Sequence, residues 1–207
     1  MSLFASNVMH SRFRLSVWLL LFCACGAQAR TASIQESLAE LPPVPQDAAQ
    51  IVFLKPSKGL VTWAGVLELV GDRRQLLGVM YARARLVTTV APGKHRFMSW
   101  DKAGAHFLEA EVEAGKRYFV LLRFIYGAGN QLRPIRPNGR SDYDMTNPEF
   151  AEWLADTSQK PARPEQLRFF RKKDARVAAV QALGWERWLR KNDDERAQLT
   201  LRPEHGL

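Results

Sequence analysis

Short apolar and β-branched runs recur from Gln50 onward, each closed by a turn signal, and the spacing becomes helical only after Asn147. The runs predict strands at Gln50–Leu54, Gly65–Val70, Gln75–Tyr81, Arg85–Val90, Lys94–Trp100, His106–Val112 and Arg117–Ile125. Between them stand the turn signals Pro56-Ser57-Lys58-Gly59, Gly71-Asp72, Pro92-Gly93, Asp101-Lys102-Ala103-Gly104 and Ala114-Gly115. In His106–Val112, Leu108, Ala110 and Val112 alternate with Phe107, Glu109 and Glu111, so one face is apolar and the other mostly polar. Tyr118–Ile125 is apolar on both faces except for Arg123, as expected of a central strand covered on both sides. The fold class that follows is mainly β: a small antiparallel β-sandwich with a C-terminal α-helical extension.

The helical signals bracket the strands. Ile34–Leu41 reads as a short helix closed by Pro42 and Pro43. Ala128–Arg140 reads as a Gly, Asn, Arg and Pro loop. Asn147-Pro148 is a helix start, with an N-cap acceptor followed by proline at the first helical position, and Phe150, Trp153 and Leu154 make its apolar stripe. A second helix starts near Pro164, carries Leu167, Phe170, Val177, Val180 and Leu183 at close to helical spacing, and meets a possible bend at Gly184. Such stripes require cover, which places these helices on the sandwich, over one side of it.

Two segments share the pattern V-x-[PA]-G-K-x-x-F, Val90–Phe97 and Val112–Phe119, and each joins two strand runs. Their glycines supply the positive φ that a type II turn needs, and Pro92 presets the position before Gly93. Ile51-Val52-Phe53-Leu54, the stretch Leu86 to His95 and the closing Val112 to Val120 together resemble PEGA-like domains of bacterial exported proteins and lipoproteins, over roughly residues 49 to 126. The resemblance implies a small β-sandwich and a cell-envelope setting. It carries over no catalytic residues, and Gly71-Asp72-Arg73-Arg74 stands where the family has a short D-G turn.

Residues 1–29 have the parts of a secretory signal: Arg12 and Arg14, the apolar run Leu15–Ala24, and the small-x-small site Ala27-Gln28-Ala29. Cleavage there implies a periplasmic protein with no transmembrane span. Cys25, preceded by Ala24 and followed by Gly26, offers lipidation and outer-membrane association as the alternative. The organisation is then a signal (1–29), a lead-in (30–48), a sandwich (49–132) and a helical extension (133–207). Both cysteines, Cys23 and Cys25, lie in the signal, so disulfides and thiolate chemistry are not expected of the mature chain. Loss of Arg12 and Arg14 lowers the formal charge from +9 to +7, spread along the chain. For an exported protein that excess points to anionic envelope surfaces and away from nucleic acid.

Nothing in the sequence amounts to a catalytic signature, and no cofactor or metal is expected. The candidate ligand-binding residues are His95, Lys94 and Lys116 beside the twin turns, and the basic run Arg168, Arg171, Lys172, Lys173 and Arg176. Asp142, Asp144 and Asn147 lack the glycine and distal glutamate of a calcium loop. The expected function is a non-enzymatic binding or structural module whose partner is an envelope protein, glycan or anionic lipid. The alternatives are a hydrolase of envelope material, using His95 or His106 with a carboxylate, and a cationic membrane-surface binder.

Overall fold

All seven predicted strands form, close to their expected bounds: β1 (Ala49–Lys55), β2 (Ala64–Val70), β3 (Arg73–Met80), β4 (Ala84–Val90), β5 (Gly93–Trp100), β6 (Ala105–Val112) and β7 (Arg117–Ile125). The computed structural model describes residues 34–56, 63–137, 139, 141–160 and 163–207. Cys25, the signal-like segment and the turn residues Ser57-Lys58-Gly59 lie outside the described residues. The chain divides into two units, Met1–Leu41 and Pro42–Leu207. In the first, residues 34–39 are helical (α1), where the lead-in pattern predicts a helix.

Three further strands come from stretches expected to be loop or helix: β8 (Gly129–Ile135), β9 (Ser158–Gln159) and β10 (Thr200–Leu201). The sandwich therefore runs past residue 132 and borrows strands from the extension. β8 lies in the stretch whose Gly, Asn, Arg and Pro content predicts a loop, and it contains Pro134. As the edge of its sheet, β8 has one side without strand partners, which is where proline is tolerated. Sheet I has the order β8-β7-β1-β4-β9 and sheet II the order β10-β6-β5-β2-β3. Both are mixed rather than purely antiparallel, since β1/β7, β4/β9 and β6/β10 pair in parallel.

The core lies between the sheets. Ile51, Phe53, Tyr118, Val120 and Leu122 of sheet I meet Val66, Phe97, Leu108, Ala110 and Val112 of sheet II. The twin turns carry the chain across this gap, from β4 to β5 and from β6 to β7. Gly93 (φ 124°) and Gly115 (φ 73°) take the positive φ that the turn reading requires. Val90, Val112, Phe97 and Phe119 are all buried. Phe97 enters the inter-sheet core, whereas the Phe119 ring lies 5.3 Å from Phe150, on the outer face of sheet I.

Helices cover both outer faces, not one. On sheet I lies α2 (Pro148–Ala155), capped by Asn147, whose side chain accepts from the Glu149 N–H, and burying Phe150, Trp153 and Leu154. On sheet II, α3 (Pro164–Lys172) and α4 (Asp174–Leu189) bury Phe170, Val177 and Trp188 against Leu67, Met98, Trp100 and Phe107. The expected single helix breaks at Lys173 (φ −106°, ψ 9°), so each half seats on the sheet separately. Gly184 does not bend α4; a Cβ there would lie 2.9 Å from the Ala105 carbonyl oxygen, so the glycine lets the helix approach β6. Gly65 does the same for α3, since a Cβ there would collide with the Phe170 ring. The short α5 (Asp193–Ala197), capped by Asn192, leads to β10.

Candidate functional site

On the outer face of sheet I, the alternation of β7 points Phe119, Leu121 and Arg123 away from the core, and on β8 it does the same for Gln131, Arg133 and Ile135. Leu121 pairs with Arg133, and Arg123 with Gln131. Helix α2 covers Phe119, and Arg123 and Arg133 lie farther along the strand pair from the Phe119–Ile135 pairing. Arg136 follows directly after β8. It bridges to Asp144 in backbone register, which folds the intervening loop back and delivers Tyr143.

The guanidinium carbons of Arg123 and Arg133 each lie 5.6 Å from the centre of the Tyr143 ring. Arg123, Arg133, Arg136, Ser141, Tyr143 and Gln198 surround a cavity of about 400 Å3, with Asp142 as the one carboxylate in its lining. Burial holds the Arg133 guanidinium below its ordinary value, with Arg123 and Arg136 acting in the same direction and Tyr143 and Asp142 against it. Burial also lowers Arg136; Arg202 adds to this and Glu204 opposes it. Arg136 donates to the Ala197 carbonyl at 2.8 Å, at the C-terminal end of α5. Arg133 donates from Nε to Gln131 at 2.8 Å. Gathering partly desolvated cations of like charge is unfavourable without an anion, and planar guanidinium groups match the oxygens of a carboxylate or phosphate.

A second polar cluster is buried at one end of the sandwich. Asp101 accepts from the backbone N–H groups of Ala103, Gly104 and Asn130 at 2.8, 3.2 and 2.7 Å, and from Asn130 Nδ2 at 2.6 Å. Lys55 Nζ donates to Asn130 Oδ1 at 2.5 Å, and the Ser99 hydroxyl donates to the Asn130 carbonyl. Burial pulls the Lys55 ammonium down to about 8, against the attraction of Asp101. Gly129 is required here, since its φ is 96° and a Cβ would lie 2.5 Å from Asp101 Oδ1. The cluster ties β1 and β8 of sheet I to the end of β5 in sheet II.

The candidates read from sequence are spread over the molecule. His95 places Nδ1 2.7 Å from Glu68, an acid brought beside it by the β2/β5 pairing, and Nε2 2.8 Å from the Ala91 carbonyl. His106 sets Nε2 2.7 Å from the Ala128 carbonyl, and burial lowers its pKa. Lys116 bonds to Glu113 at 2.7 Å and to the Pro203 carbonyl at 3.1 Å, holding the segment that follows β10 against β7. Lys94 is exposed, as are Arg168, Arg171, Lys172 and Arg176; Lys173 is half-buried over the Phe169 ring. Asp174, within that basic run, is held bidentately by Arg74 at 2.9 and 3.0 Å. Asp144 accepts from the Thr146 N–H at 2.8 Å, and Asn147 caps α2, so these two stabilise the loop and helix start. No protein-family model matches the chain, and no curated protein matches it in sequence.

Proposed function

We propose that this chain is a non-enzymatic exported module of the cell envelope, PEGA-like in its strand region, that binds an anionic group in the Arg123–Arg133–Arg136 cavity. The observation that carries the reading is the convergence of three guanidinium groups from β7, β8 and the residue after it on one concavity lined by a single carboxylate. Export rests on the signal pattern of residues 1–29. The hydrolase alternative has one element of its machinery, since His95 lies 2.7 Å from Glu68 and lines a cavity of about 540 Å3 with Lys94, Glu109 and Glu111, but its Nε2 is turned to the Ala91 carbonyl, 2.8 Å away.

Thermal unfolding in a panel of oxyanions tests the site. Phosphate or citrate should raise Tm with the logarithm of its concentration above the dissociation constant, and the Arg133→Gln/Arg136→Gln variant should lose the rise. An unchanged rise in the double variant would remove the cavity from the account. Fractionation of cells making the full chain tests the compartment, with recovery in the cytoplasmic fraction as the contrary result. The exposed basic residues of α3 and α4 support a second reading, a membrane-surface binder, which requires salt-sensitive binding to anionic vesicles that Arg168→Gln/Arg171→Gln weakens.

A further inference from the structure

The arginine cavity has an apolar neighbour. Pro56, Ala82, Leu121, Phe124 and Trp153 line a second cavity of about 230 Å3, and Arg123 and Tyr143 belong to the linings of both. Tyr143 is shared by the two linings and touches residues of both. Its ring lies 5.6 Å from the guanidinium carbons of Arg123 and Arg133 and 6.5 Å from the Trp153 ring, tilted to it by 32°. Lys55 and Glu149 also line the second cavity, but the Lys55 ammonium is committed to Asn130.

On the reading that the arginine cavity binds an anion, we infer that the ligand is a small amphipathic oxyanion: a carboxylate or phosphate head held by Arg123, Arg133 and Arg136, with an apolar chain or ring lodged past Tyr143. Two features of the site select this class. A head without an apolar part leaves the cavity beside Ala82 and Phe124 unfilled, and an apolar molecule without charge leaves the guanidinium groups uncompensated. At about 230 Å3 the apolar cavity has room for a short alkyl chain or a single ring.

Calorimetric titration of the full chain with two homologous series, the n-alkyl carboxylates from acetate to decanoate and the n-alkyl phosphates from methyl to decyl, tests the inference. Affinity should rise about fourfold for each added methylene and level off when the chain fills the cavity. Ala82→Leu, at a half-buried position in the apolar lining, should abolish the gain with length while leaving acetate and methyl phosphate unaffected. Arg133→Gln/Arg136→Gln should weaken every member of both series. Comparison of the series tells a carboxylate site from a phosphate site. Arginine-dependent binding with no gain along either series would overturn the amphipathic ligand and leave the anion site standing. A gain with length that the double variant does not weaken would overturn the assignment of the head group, and failure of every member to bind would overturn both readings.

Discussion

Arg133 illustrates how a residue that is costly to the fold can be useful to a site. Its charge is partly desolvated and faces Arg123 and Arg136 across the cavity, so Arg133→Gln is expected to leave Tm within a few degrees of wild type while weakening anion binding at least tenfold. Calorimetry and thermal unfolding of the same sample check both halves. Lys55 makes a prediction about pH. Its folded pKa of about 8 lies below the ordinary 10.5, so between those values the unfolded chain holds more proton than the folded one. Stability from this group therefore rises as pH goes from about 8 to 10.5, and its penalty is constant below that window. Denaturant titrations across the window should show a rise in wild type that Lys55→Met lacks. In the sequence, Arg123 stands out as the charge interrupting Tyr118–Ile125, but that run reads as a central strand covered on both sides, so the charge did not mark a site. Arg133 and Arg136 gave no such sign, because their stretch read as loop and only the strand register brings them beside Arg123. His95 and Lys116 looked unassigned for a related reason: Glu68 and Pro203 reach them through pairings distant in sequence.

Among the elements, the strands of the two sheets were the most legible, because burial on one or both faces writes period-two or continuous apolar patterns into β1, β6 and β7. The two-residue strands β9 and β10 are too short to carry any pattern. The helix-to-sheet contacts were hidden in glycines. Gly184 suggested a bend from sequence, yet α4 runs through it and uses the missing side chain to approach Ala105. Gly184→Val is accordingly expected to cost roughly 1–3 kcal/mol in chemical denaturation by forcing the helix away from β6. Gly65→Ala should destabilise through the Phe170 ring specifically. Combining it with Phe170→Leu should recover part of the loss, a coupling of roughly 0.5–3 kcal/mol in a double-mutant cycle.

At the scale of the whole molecule, the sandwich is a core enclosed twice, by sheet against sheet and then by helices on each outer face. The inner core tolerates least. Leu122→Ala should cost about 2–5 kcal/mol in denaturant unfolding, and Val120→Asp should yield no soluble folded protein. The twin glycine turns owe their similarity to a shared task, since each passes the chain between sheets. The same architecture gathers Arg123, Arg133 and Arg136 around one cavity at the β8 edge of sheet I, and that is where the account places function. Two-dimensional NMR of the arginine Nε–Hε groups during titration with inorganic phosphate tests this most directly. The account predicts that Arg123, Arg133 and Arg136 shift together and saturate with one dissociation constant. Largest shifts at Arg168, Arg171 and Arg176, or a uniform drift without saturation, would contradict it.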